Sequence, residues 1–352
     1  LFGFLDIQKF AAHTLPNPIS IGYKQQPQAP SYSPSIYSKI MAQQEWIKVF
    51  APATIGNIGP GFDVLGMSVK YLGDTIEARR IPEKTVLISE IYADYPLSTD
   101  PTQNTAGIAA QEVLRLIGAE GGVEMKIHKG MPSGSGLGSS AASAAAGAFA
   151  ANYLYGQKLS KEELILPATK AEEQVSGDFF ADNTAPSLLG GATLTRSCLP
   201  LDVTKIGAIS NLIVVLVTPK ITILTKEARE ILPKLVSMKQ FVFNMANACL
   251  ITAAFAKDDY SLFARSLNDD IIEPARSSLI PGFGQVKQNA LQAGADGLTI
   301  SGSGPTIFAI TNERSKARFI EDAIVRTFLR FEVEAQSVIT DLDNEGTRLV
   351  EG

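Results

Sequence analysis

Histidine is nearly missing from this chain. Of 352 residues only His13 and His128 are histidines, too few for a His-rich zinc site and badly placed for a Ser-His-Asp triad. A general base must therefore be a carboxylate or a lysine, or the chemistry must do without one. Cysteine is equally scarce. Cys198 and Cys249 stand alone, which excludes a disulfide framework, suits a reducing compartment and makes a cytoplasmic location the expectation. No apolar run approaches the ~20 residues of a membrane-spanning helix. Basic charge is not in excess either: 31 Lys+Arg against 36 Asp+Glu leave a formal charge of −5, which argues against nucleic acid as a partner. Internal repeats and coiled-coil heptads are also absent.

What is present is the composition of a globular protein, 45% hydrophobic and 19% charged, long enough for a large core in two domains. The first forty residues differ from the rest. They hold five Pro and five Ser but no Arg, and strand-like patterning starts only at Trp46. Residues 1–40 are therefore expected to be a leader that is disordered or not translated, with Met41 as the true start. A transit peptide is the rival reading, though such peptides are Arg-rich. Without the leader's three Lys and one Asp the charge is 28 − 35 = −7.

Period-two alternation marks strands at Ile47 to Phe50, Met67 to Arg79, Thr85 to Ile91 and Val123 to His128. Helical stretches follow at Ala106 to Ile117, Ser139 to Tyr155 and Lys161 to Val175, the last opening with the capping box Ser160-x-x-Glu163. After Gly190-Gly191 a strand runs to Arg196, and Pro200 breaks the pattern. Beyond it the strand Leu212 to Val217, helices from Thr225, Phe241, Tyr260, Gly284 and Ser315, and a last strand near Val333 to Ile339 are expected. Strands and helices mix without strict βαβ order, the signature of an α+β fold. The expected domains are 41–205 and 206–352.

The densest signal is the run Pro132-Ser133-Gly134-Ser135-Gly136-Leu137-Gly138-Ser139-Ser140-Ala141-Ala142, a glycine-rich loop entering an alanine-rich helix. Glycine permits positive φ and close approach to a ligand, and the free N–H groups of the helix start attract anions. Such a junction is built to hold phosphate, with Ser139 and Ser140 placed to cap the helix, bond phosphate oxygens or ligate a bridging metal. A Walker A loop would need a Lys after the glycines. A Rossmann fingerprint would need G-x-G-x-x-G, whereas Gly134, Gly136 and Gly138 read G-x-G-x-G. A plain flexible turn is the remaining alternative.

Two further segments narrow the choice: Ala51-Pro52-Ala53-Thr54-Ile55-Gly56-Asn57-Ile58-Gly59-Pro60-Gly61-Phe62-Asp63 near the start, and Ile300-Ser301-Gly302-Ser303-Gly304-Pro305-Thr306 near the end. With the loop they form three ordered motifs that resemble those of the GHMP kinases, and Asn57-x-Gly59-x-Gly61-Phe62-Asp63 resembles the homoserine kinase branch. The resemblance implies two α+β domains with the phosphate loop in the first. It also implies ATP and Mg2+ as cofactors, L-homoserine as the acceptor on the route to threonine, and a second copy of the chain as a possible partner. Mevalonate or shikimate as acceptor, or a non-catalytic sensor on the same fold, are the alternatives.

The same resemblance implies roles for single residues. Pro132 to Ala142 would cradle the triphosphate, Asn104 would face adenine or ribose, and Ser140 with Glu172 would hold Mg2+, Glu173 being second choice. Asn57, Asp63, Asn183, Thr225, Arg229 and Arg276 would orient homoserine, with Asp63 receiving its ammonium group and the arginines its carboxylate. Asn183 stands where mevalonate kinases carry their catalytic aspartate, so transfer without a carboxylate base is expected, and Asp182 is expected to support the loop. One departure stands out: homoserine kinases commonly have His two residues before this Asp, and the chain has Phe180. For His128, a solvated strand-end residue is the preferred reading over a catalytic one.

Overall fold

The computed structural model describes residues 45–132, 134–177 and 179–351. The leader 1–40, the expected start at Met41 and Ser133 of the glycine-rich loop lie outside the described residues.

The first sheet is built from β1 (Ile47–Gly56), β2 (Leu65–Ile81), β3 (Val86–Tyr92), β4 (Gly122–His128), β5 (Ala192–Cys198), β6 (Leu201–Gly207) and β11 (Arg348–Leu349). Its order is β11-β1-β2-β4-β3, with β5 on β2 and β6 on β5. All pairs are antiparallel except β3 with β4. Parallel neighbours need a long crossover, and here α1 (Thr105–Leu116) supplies it. The β1–β2 register shifts between Pro52 and Thr54, where proline has no N–H for the ladder. The shift turns the Thr54 N–H to the Leu137 carbonyl at 3.0 Å, which ties the glycine-rich loop to the sheet.

Helix α2 (Ser139–Leu154) begins at that loop and packs against β1, β2, α1, α3 (Lys161–Ser176) and α4 (Thr184–Leu189). Its alanines are buried on nearly every side, and the small side chains are what let one helix sit so close to this many neighbours. The expected capping box starts α3: the Glu163 N–H donates to Ser160 Oγ at 3.3 Å and the Ser160 N–H to Glu163 Oε2 at 2.8 Å.

The second sheet has the order β10-β7-β9-β8, from β7 (Ile213–Pro219), β8 (Gly297–Ile300), β9 (Ile307–Thr311) and β10 (Ala335–Asp341). Strands β7 and β9 are buried on both faces. Ile213, Val215, Val217, Ile307 and Ala309 point into a core shared with α9 (Phe283–Gln292) and α10 (Arg314–Arg330), while Val214, Leu216, Phe308 and Ile310 join the core of the first sheet. This sheet is a wall between two cores, so its strands read as unbroken apolar runs rather than alternating ones. The intervening chain forms α5 (Thr225–Glu230), α6 (Met238–Lys257), α7 (Tyr260–Ser266) and α8 (Ile272–Arg276). Helix α6 begins three residues before the expected Phe241, at a second capping box between Ser237 and Gln240. Among the described residues no helix is long and apolar enough to cross a membrane.

Candidate active site

The three motifs meet at one cleft of about 530 Å³. The first makes a tight turn after β1, with Asn57, Ile58, Gly59 and Asp63 at positive φ. Asn57 stitches that turn: its Oδ1 accepts from the Asp63 N–H at 3.0 Å, and its Nδ2 donates to the Gly302 carbonyl at 2.9 Å. The third motif braces the glycine-rich loop. The Ser301 hydroxyl donates to the Gly136 carbonyl at 2.7 Å, and the Thr306 N–H to the Ser135 carbonyl at 3.1 Å.

Loop geometry requires glycine at two places. A Cβ on Gly136, at φ 78°, would stand 2.5 Å from the Ser301 carbonyl oxygen, and one on Gly138, at φ 64°, would stand 2.0 Å from Thr54 Oγ1. Gly138 is the residue before α2 and caps it with no side chain, leaving the first N–H groups of the helix for an anion. Ser135 Oγ is buried and has no hydrogen-bond partner among the described residues.

Gly134, Ser135, Gly136, Gly138, Ser139 and Ser140 line the cleft, whereas Pro132, Leu137, Ala141 and Ala142 do not. Leu137, Ala141 and Ala142 are buried, so they shape the loop and helix from behind. Asn104 lines the cleft with its amide occupied in capping α1: Oδ1 accepts from the Ala106 N–H at 3.1 Å and Nδ2 donates to the Ser98 carbonyl at 3.1 Å. Ser140 Oγ donates to Glu172 Oε2 at 2.6 Å. A hydroxyl and a carboxylate side by side at a helix start suit Mg2+, a hard cation that completes its shell with phosphate oxygens and water. Glu173 is exposed and outside the cleft.

Across the cleft, Arg229 of α5 holds Asp63 in a two-pronged pair, Nη1 to Oδ2 and Nη2 to Oδ1, both at 3.0 Å. Its guanidinium lies 4.6 Å from the Phe180 ring centre and 5.5 Å from that of Phe62, so Phe180 stacks on an arginine where a histidine was the family expectation. Arg276 sits 5.2 Å from the same Phe62 ring and donates to the carbonyls of Ala228 at 3.1 Å and Gly302 at 2.7 Å. Burial, and then the charge of Arg229, lower its pKa from the usual value. Thr225 lies one turn before Arg229 on α5 and lines the cleft.

Asn183 is held by its neighbours: Thr54 Oγ1 donates to its Oδ1 at 2.8 Å, and its Nδ2 donates to Asp182 Oδ2 at 3.3 Å. Asp182, read from the sequence as loop support, itself lines the cleft. Burial, reinforced by the nearby Asp63 carboxylate, pushes its carboxyl up to about 7. Sequence reasoning also passed over Lys129. It lies in the cleft beneath the first turn of α2, bonded to the buried Asp74 carboxylate, to the Ser139 carbonyl at 3.0 Å and to Ser143 Oγ at 2.8 Å. Its only sequence signal is a single cation three residues ahead of Pro132. His128 does not line the cleft; it stacks on Tyr92 with ring centres 4.5 Å apart.

Known proteins share this fold. Residues 104–191 match the GHMP kinases N terminal domain and residues 251–330 the GHMP kinases C terminal domain. The homoserine kinase of Arabidopsis thaliana is 42% identical over 86% of this chain and 84% of its own length. That of Chloroherpeton thalassium is 39% identical over 86% of this chain and 98% of its own. The crystal structure of homoserine kinase from Cytophaga hutchinsonii, 41% identical, superposes with a TM-score of 0.83, covering 88% of this chain and 98% of that one. With the family's three motifs assembled around a single cleft, the chain belongs to the homoserine kinases of the GHMP kinase superfamily.

Proposed function

We propose that this cleft transfers the γ-phosphoryl group of ATP to the hydroxyl of L-homoserine, giving O-phospho-L-homoserine and ADP on the route to threonine. The observation that carries the reading is the Asp63–Arg229 pair, with Arg276 behind it, facing the same cleft as the phosphate loop. One carboxylate and two guanidinium groups match the ammonium and carboxylate of a small zwitterion, and a planar fork suits a carboxylate. In the free protein Asp63 and Arg229 satisfy each other. On binding, the substrate ammonium replaces the arginine at Asp63 and the substrate carboxylate replaces the aspartate at Arg229.

The loop N–H groups and the start of α2 bind the triphosphate. Tyr95, Leu97 and Val175 supply the apolar surface for the base. Ser140 and Glu172 would hold Mg2+, which neutralises charge on the phosphate oxygens. Asn183, its amide fixed by Thr54 and Asp182, orients the acceptor hydroxyl. Phosphoryl transfer through a loose transition state depends chiefly on such positioning and charge stabilisation. The test is ADP release from MgATP with L-homoserine, mevalonate or shikimate. Turnover with homoserine is expected, and turnover with mevalonate but not homoserine would overturn the substrate assignment.

A further inference from the structure

An asparagine directly before a helix ordinarily spends its side-chain oxygen on an N–H of the first turn. Asn183 stands at that position before α4, yet its side chain makes no capping bond. Its Oδ1 accepts from Thr54 Oγ1 at 2.8 Å instead. The amide is also walled in. A Cβ on Gly56 of β1 would stand 2.6 Å from Asn183 Nδ2, and one on Gly138 would stand 3.0 Å from Asn183 Oδ1. Strand and phosphate loop thus close on the two ends of the amide, and its orientation is set for the cleft rather than for the helix it precedes.

Thr54 touches both walls. Its hydroxyl holds Asn183, and its N–H donates to the Leu137 carbonyl inside the phosphate loop at 3.0 Å. The residue is fully buried and does not line the cleft, so it meets no ligand itself. The register shift between Pro52 and Thr54 puts it there; such irregularities re-aim side chains beside functional sites. Ala53 and Ile55 go to the core, and alternation sends Thr54 to the opposite face. Threonine also suits a fixed post, because its branched Cβ leaves the side chain few rotamers.

We propose that Thr54 is a positioning residue for the transfer: its side chain and its N–H fix the amide that orients the acceptor hydroxyl at a set distance from the loop that holds the triphosphate. This rests on the phosphoryl-transfer reading of the cleft, though not on which acceptor is used. With Oδ1 turned to Thr54 and one Nδ2 proton on Asp182, the amide has its second Nδ2 proton to donate to the acceptor oxygen. Reacting atoms must lie about 3–3.5 Å apart before transfer, and a misplacement of about 1 Å costs on the order of 100-fold in rate. Attaching both partners to one stiff residue of β1 keeps that error small. Without the hydroxyl, Asn183 would be free to turn and cap α4.

Steady-state kinetics on the full chain test this, with MgATP and whichever of homoserine, mevalonate and shikimate the parent turns over. Thr54→Val keeps the shape and deletes the hydroxyl. Its kcat should fall roughly 10- to 100-fold, while KM for ATP and for the acceptor stays within about twofold of the parent's, since ground-state binding is untouched. Thr54→Ser restores the hydroxyl and should recover most of the loss. The double variant Thr54→Val/Asn183→Ala should be no slower than Asn183→Ala alone, because Thr54 then has nothing left to position. The same comparison in Thr54→Ala covers a valine that does not fit beside Gly138. An unchanged kcat in Thr54→Val sinks the proposal. So does a raised KM for ATP at unchanged kcat, which would make Thr54 a prop for the loop alone, and so does a double variant that loses the product of the two single effects. A parent that turns over mevalonate but not homoserine overturns the substrate assignment and leaves the Thr54 series to be read with mevalonate; a parent idle on all three acceptors overturns both.

Discussion

Arg229 shows how one residue can be tuned by several weak contacts. Its fork on Asp63 and its stacking on Phe180 and Phe62 hold the guanidinium plane fixed before any substrate arrives, so little ordering remains to be done on binding. Lysine keeps the charge and loses the plane. Arg229→Lys should therefore weaken homoserine binding by about 1.5–3 kcal/mol, the worth of a hydrogen bond to a charged group, read as a KM raised roughly 10- to 150-fold with ATP affinity unaltered. An unchanged homoserine KM would return Arg229 to a purely structural part. Asp182 offers a different test. Its carboxyl is pushed from 3.8 up to about 7 by burial and by Asp63, so between about pH 4 and 7 the folded protein keeps a proton that the unfolded chain has released. Stability contributed by this group therefore falls as pH rises through that window, by on the order of 4 kcal/mol for a shift of this size. Asp182→Asn carries no such proton. Its melting temperature should gain on the parent's as pH is raised from 5 to 8, and parallel curves for the two proteins would refute the assignment.

At the scale of elements, the start of α2 carries an electrostatic conflict: a cation, Lys129, lies beneath the positive end of a helix. Asp74 resolves it. The carboxylate is fully buried, bonded to Lys129, to Ser143 Oγ at 2.7 Å and to the Gly130 N–H at 3.1 Å, and so fixes the strand that leads into the loop. Asp74→Asn leaves a buried lysine unpaired and should cost about 3–5 kcal/mol in urea denaturation. Asp74→Asn/Lys129→Met should recover most of the loss; a single-variant cost below about 1 kcal/mol would mean the ion pair is not holding the element. This part of the site was hard to read in the sequence because Asp74 and Lys129 are 55 positions apart, one inside β2 and the other just past the end of β4, where strand alternation signals only secondary structure. What was legible was local. The glycine spacing of the loop, the capping box at Ser160 and the helix face shared by Thr225 and Arg229 are all set by neighbours within a few residues. Helix α8, α4 and the two-residue β11 were missed, being too short for a periodic signal. The Asp63–Arg229 contact was missed for another reason. Each residue was assigned to a ligand, and only the folded chain shows that, 166 positions apart, they bind one another first.

For the whole molecule, the question is whether the expected division after residue 205 marks units that stand alone. That position falls inside β6, and the two sheets part a few residues later, between β6 and β7. Yet β7 and β9 give alternate side chains to two cores, and the chain end returns to pair β11 with β1. On the first-sheet side, Phe308 is fully buried and packs in the same cluster as Phe255, Phe263 and the strands of the N-terminal half. Removing its ring should therefore weaken both halves together. Phe308→Ala is expected to cost about 3–5 kcal/mol, the range for a buried aromatic truncated in a core, and to lower one calorimetric transition without splitting it. In the unaltered chain that transition should be single, with matching calorimetric and van't Hoff enthalpies, as cooperative units require. By the same argument residues 206–352 expressed alone should fail to give a sharp transition, because Val214, Leu216, Phe308 and Ile310 would face water. Two resolved transitions, with only the C-terminal one moved by Phe308→Ala, would show that the shared wall does not couple the cores.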